Sequence, residues 1–206
     1  MLLFSLIMQE ELQRFEQTLL SNMHAFDVAL SADDLERLRT YYSLLTRWND
    51  RLHLVAPCSP AEFATRHVLE SLMLLNHLPH GAKIADIGSG GGLPIVPCLV
   101  VRPDLEATLI ESSQKKAVFL REAIAAVGRR GKIIARRFED VEAPAVEFVT
   151  SRALDQFTTK LPELIEWTPK GATLLLFGGE QLLDDAERFL IPGSERRYLF
   201  KKGFRG

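Results

Sequence analysis

The chain has 206 residues, 47% hydrophobic and 25% charged, which fits one globular domain with an appendage better than two full domains. A formal net charge of −2 excludes a global basic field, so a polyanionic partner must be met by a local patch. The apolar residues 1–8 lack a basic flank and a cleavage site and are too short to span a bilayer, so a cytoplasmic protein with no membrane partner is expected. Residues 1–7 could be an artefact of start-codon choice, because Met8-Gln9-Glu10-Glu11 opens a more usual helical register. Cys58 and Cys98 have no metal-ligand spacing; they read as idle thiols in a reducing compartment, and no metal is expected.

Residues 1–80 read as a helical region. Leu35, Leu38, Tyr42, Leu45 and Trp48 recur at three- and four-residue steps and form one apolar face behind an N-cap at Ser31. A second helical run covers 60–78, opened by Ser59-Pro60 and closed by Pro79-His80-Gly81. The pattern then changes over 81–206. Strands are expected at 83–87, 107–111, 132–135, 148–151 and 172–177. Helices fall between them at 93–101, 113–127 and 156–167. This alternation predicts an α/β fold, a doubly wound and mostly parallel sheet with helices on both faces. Residues after 182 look short for a sixth and seventh strand.

Three features carry chemistry. The first is the turn Asp86-Ile87-Gly88-Ser89-Gly90-Gly91-Gly92 after the first strand. Gly88, Gly90 and Gly92 allow close backbone approach by a cofactor. The dinucleotide fingerprint G-x-G-x-x-G fails here, because its sixth position is Leu93. Acidic Asp86 suits an ammonium group, such as that of S-adenosylmethionine, and disfavours a pyrophosphate. The second feature is Glu111, 25 residues after Asp86, where a carboxylate can accept from both ribose hydroxyls. The third is Phe138-Glu139-Asp140, where an aromatic and an acid can flank an adenine.

The stretch from Asp86 through Leu93-Pro94 to Pro97, with Arg66-His67-Val68-Leu69-Glu70-Ser71 upstream and Ser151-Arg152-Ala153 downstream, resembles the ribosomal RNA small subunit methyltransferase G family, also called glucose-inhibited division protein B. Leu44-Leu45-x-x-Trp48-Asn49 is similar to that family's N-terminal signature. The resemblance implies a Rossmann-like class I methyltransferase that uses S-adenosylmethionine to methylate N7 of one guanine in 16S ribosomal RNA, naked or in the small ribosomal subunit. It implies cofactor contacts from Gly88, Leu93, Phe138, Glu139 and Arg152. Family members usually show N-L-T where this chain has His53-Leu54-Val55, and K-G where it has Phe177-Gly178.

Guanine N7 carries a lone pair and no proton, so no acid or base is assigned. Arg152, Arg66 and His67 are the candidates for positioning. N7 faces a groove of A-form RNA too deep to read, so the target must be unpaired or splayed. Arg129, Arg130, Lys132, Arg136 and Arg137 form one candidate phosphate patch, and Arg196, Arg197, Lys201, Lys202 and Arg205 a second. The alternatives are a non-catalytic S-adenosylmethionine- or RNA-binding module and, disfavoured by Leu93, a nicotinamide oxidoreductase. Oligomeric state is not readable from the sequence, and a monomer is the default.

Overall fold

The computed structural model describes residues 2–152 and 157–204. Two helices lead the chain, α1 (Leu2–Asn22) and α2 (Ala32–Leu52). The Ser31 hydroxyl accepts from the Asp34 N–H at 3.2 Å while the Asp34 carboxylate accepts from the Ser31 N–H at 2.9 Å, a reciprocal cap that starts α2. A third helical run, α3 (60–77), begins under the Ser59 cap. Within it Phe63–Leu69 is a π-helix, closed by the Glu70 N–H donating to the Thr65 carbonyl. Such wide turns are rare and are frequent at functional sites; this one carries Arg66 and His67.

The remaining helices are α4 (Ile95–Val101), α5 (Gln114–Ala126) and α6 (Phe157–Trp167). The sheet holds seven strands: β1 (Lys83–Ile87), β2 (Glu106–Ile110), β3 (Lys132–Ile134), β4 (Phe148–Ser151), β5 (Thr173–Gly179), β6 (Glu187–Leu190) and β7 (Arg197–Gly203). Their order is β3-β2-β1-β4-β5-β7-β6. The first five are parallel; β7 runs antiparallel to both its neighbours.

Alternation along each strand splits the apolar residues between two faces. Leu175, Phe177 and Leu199 face a core that continues through α4 and α5 to the N-terminal helices as far as Phe15. Leu174, Leu176 and Phe200 face the other core, which contains Leu164 of α6. The N-terminal helices thus share the sheet's own core. Phe15 of α1 stacks on Tyr42 of α2 at 4.7 Å and 8°.

Three expectations are corrected. The chain after residue 182 is long enough for two further strands, because an antiparallel pair needs only a short connection, here residues 191–196. Of the second candidate phosphate patch, Arg197, Lys201 and Lys202 sit in β7, so the patch is not one continuous exposed run, and Arg205 lies outside the described residues. The helix expected at 93–101 starts at Ile95, because residues 91–94 are spent completing the glycine turn.

Phe15→Ala should cost ~3–5 kcal/mol of unfolding free energy by denaturant titration, as for other fully buried phenylalanines. A cost below ~1 kcal/mol would mean that α1 is not part of the core.

Candidate active site

β1 ends at Ile87, and the chain turns through Gly88, Gly90 and Gly92 with φ of 68°, 50° and 83°. Residues with a Cβ rarely adopt these values. The turn is fastened from two sides. On the β2 side, the Gly88 and Ser89 N–H groups donate to the Ile110 carbonyl at 2.9 and 3.3 Å, and the Gly90 N–H donates to Glu111 Oε2 at 2.8 Å. On the helical side, the fully buried Tyr41 hydroxyl of α2 donates to the Gly91 carbonyl at 2.5 Å. Gly92 serves packing instead: a Cβ there would stand 2.5 Å from Val96 Cγ2 of α4.

A cavity of about 580 Å³ opens against this turn, at the carboxyl ends of the central strands. That is where ligands bind in open α/β sheets, and the volume is ordinary for a small-molecule site. Gly88, Gly90, Leu93 and Glu111 line its middle. Phe138 and Glu139 line one end, from a 3₁₀ turn after β3. Phe138 is held edge-on against Trp167 at 5.9 Å, and Glu139 pairs with Lys160 at 2.5 Å. The Glu111 oxygens each take one backbone N–H, from Gly90 at 2.8 Å and Ser113 at 2.7 Å. A carboxylate has about four acceptor positions, so capacity for two hydroxyls is left. The partly exposed backbone at Gly88 and Gly90, this spare capacity and the buried aromatic together fit an adenosyl ligand.

His67 and Arg152 also line the cavity. His67 Nδ1 is buried without a partner among the described residues. Burial, reinforced by the charges of Arg152, Arg66 and Arg197, pushes its pKa down to about 3. The ring is therefore neutral at physiological pH. Arg66 does not bring its guanidinium to the cavity: that group pairs with Glu62 at 2.9 Å on the exposed face, and only the Arg66 carbonyl reaches inward, to accept from Arg152.

Asp86 departs from expectation. Strand alternation puts it on the face of Ile84, toward the N-terminal helices, and it does not line the cavity. It is fully buried, and neither carboxylate oxygen has a partner among the described residues. Desolvation, with Glu111 adding like charge, holds its carboxyl well above the usual range. It lies under the turn and not on the cavity wall.

Of the first basic patch, Arg136 and Arg137 sit exposed on the cavity wall. Arg129 instead donates to the Leu99 and Val100 carbonyls at 2.9 and 2.7 Å, which closes the carboxyl end of α4. Cys98 is buried, with its thiol on the Ser71 carbonyl at 3.2 Å. Among the described residues no cluster of His, Cys, Asp or Glu could hold a metal, and no helix is long and apolar enough to cross a membrane.

Tyr41, Glu70 and the 53–56 segment frame the site, although the sequence assigns none of them a role there. The segment lines the cavity, and Asn49 fixes it: its amide donates to the Val55 carbonyl at 3.1 Å and accepts from the Val55 N–H at 2.9 Å. Asn49 closes the Leu-Leu-x-x-Trp-Asn signature, which is the available signal.

The His67 shift has a consequence for stability. Its folded pKa lies below the unfolded value near 6.5, so unfolded chains gain the proton first on acidification. His67 therefore favours the fold above pH 6.5, and this is lost progressively as pH falls toward about 3. His67→Gln should flatten the acid-side decline of Tm within that window. An unchanged decline would refute the burial argument.

The family model for rRNA small subunit methyltransferase G matches residues 34–190. The Ribosomal RNA small subunit methyltransferase G of Sorangium cellulosum is 36% identical over 186 residues, covering 86% of this chain and 78% of that protein. The Gluconobacter oxydans protein of the same name is 39% identical over 138 residues, 67% of this chain and 69% of its own. Among solved structures, MtNAS in complex with MTA and tNA superposes with a TM-score of 0.57 at 11% identity, over 81% of this chain and 69% of that one. Pyrococcus horikoshii TYW2 in complex with MeSAdo gives 0.50 at 15% identity, over 66% and 61%. These two share the fold. With the glycine turn, the cavity and a family match that spans most of its length, the chain belongs to the rRNA small subunit methyltransferase G family of S-adenosylmethionine-dependent methyltransferases.

Proposed function

We propose that the chain methylates N7 of one guanine in 16S ribosomal RNA, in the cytoplasm. The observation that carries this reading is the cavity itself: an adenosyl-compatible half at Glu111 and Phe138, continuous with a second half at His67 and Arg152. Gly88, Gly90 and Leu93 would hold the cofactor's spine, Glu111 its ribose and Phe138 with Glu139 its adenine. When bound, S-adenosylmethionine supplies a methyl group made electrophilic by a sulfonium.

The protein's own task is alignment, because the target nitrogen has no proton to remove. A neutral His67 suits this task. Its ring lines the cavity and can pack beside a base, whereas an imidazolium would oppose the positive charge the purine acquires. The exposed Arg136 and Arg137 on the cavity wall can take RNA phosphates.

Two measurements test the reading. Labelled S-adenosylmethionine should transfer its methyl group to small ribosomal subunits or to naked 16S RNA, and borohydride–aniline treatment should then cut the RNA at a single guanine. Cofactor binding with no transfer to either substrate would favour a non-catalytic module. Gly88→Val forces a branched side chain onto a φ of 68° at the cavity wall. It should weaken cofactor binding in calorimetry at least tenfold, ~1.4 kcal/mol. Retained affinity would make the turn merely structural.

A further inference from the structure

Arg152 follows directly on β4, and its guanidinium is almost wholly enclosed. Four groups hold it. Nη2 donates to Glu70 Oε2 at 3.1 Å and to the Arg66 carbonyl, Nη1 donates to Ser71 Oγ at 3.3 Å, and the Phe177 ring lies 5.5 Å beneath the guanidinium carbon. Glu70 is itself only 3% exposed, and its other oxygen accepts from Arg197 Nη1 of β7 at 2.6 Å. One buried carboxylate therefore joins two arginines, one just past the end of β4 and one in β7. Phe177 gives Arg152 an aromatic floor.

A guanidinium has five N–H donors. Three are used among the described residues, which leaves the Nε–H and one Nη1 hydrogen on a side chain that lines the cavity. Burial lowers its pKa to about 10, so it remains a cation at neutral pH. One Glu70 carboxylate is shared by Arg152 and Arg197, so the cluster keeps a net positive charge, and the two spare donors of Arg152 suit an anionic ligand. On the adenosyl reading, Phe138 and Glu139 take the nucleoside end, and Arg152 stands with His67 in the other half. The anion expected there is the α-carboxylate of the cofactor's methionine half.

We propose that Glu70 is a positioning residue for cofactor binding: it holds Arg152 so that the two spare N–H groups grip the amino-acid carboxylate. The proposal rests on the adenosyl reading above. It makes Arg197 a brace on Glu70 and gives β7 a link to the cavity.

S-adenosylhomocysteine carries the carboxylate, and 5′-methylthioadenosine lacks it while keeping the nucleoside. Calorimetry of both ligands with the full chain separates the effects. Glu70→Gln should weaken S-adenosylhomocysteine about tenfold and 5′-methylthioadenosine less than twofold, as expected when one charge-assisted contact is lost. Arg152→Met should show the same selectivity, and the double variant should lose no more than Arg152→Met alone. Equal weakening of both ligands, or additive losses in the double variant, would overturn the proposal, because a structural role acts on both ligands alike. Should Glu70→Gln not fold, Glu70→Asp, which keeps the charge and shortens the reach, is read by the same two-ligand ratio. Failure of the wild-type chain to bind either ligand would instead strike the adenosyl reading.

Discussion

The structure depends on keeping a glycine-rich stretch of backbone in one shape. Three glycines at positive φ leave the 88–92 turn with almost no side chains of its own to hold it. Its conformation is imposed from outside, by Ile110 and Glu111 on the sheet side and by Tyr41 on the helical side. Glycine supplies the freedom to approach a ligand and loses more entropy than any other residue when fixed. The hydrogen bonds from both flanks offset that loss. They also explain why Glu111 is both a wall of the cavity and part of its frame.

This arrangement gives the N-terminal helices a role beyond enlarging the core. Tyr41 from α2 reaches the turn, Asn49 sets the segment that lines the cavity, and the π-helical stretch of α3 delivers His67 and the Arg66 carbonyl. A sheet with its crossover helices alone would present the nucleoside half of the cavity and little of the rest. The second half, where a target base would be handled, is built largely by residues that precede β1 in the chain.

Much of this is legible in the sequence, for physical reasons that differ by residue. The parallel strands show because buried strands read as short apolar runs between amphipathic helices. Gly88, Leu93, Glu111 and Phe138 show because each is fixed to a strand end by local chain geometry, and all four line the cavity. Asp86 misleads because the glycine turn directs attention to its carboxylate, while strand alternation sends that carboxylate to the opposite face. Arg129 and Arg197 look like surface charge because charge runs do not reveal burial. One caps α4 and the other braces Glu70 through contacts spanning 127 positions. Strands β6 and β7 escape the pattern because charged residues interrupt their apolar positions, Glu187 and Arg188 in one and Arg197, Lys201 and Lys202 in the other.

The two hydrogen bonds between Asn49 and Val55 carry a last consequence. A segment beside a ligand site is usually free in the empty protein, and ordering it on binding costs affinity. Here the segment is tied by a single side chain whose helix is already packed in the core. Its ordering occurs when the protein folds, so a ligand entering the cavity meets a wall already in place and little loop entropy remains to be lost.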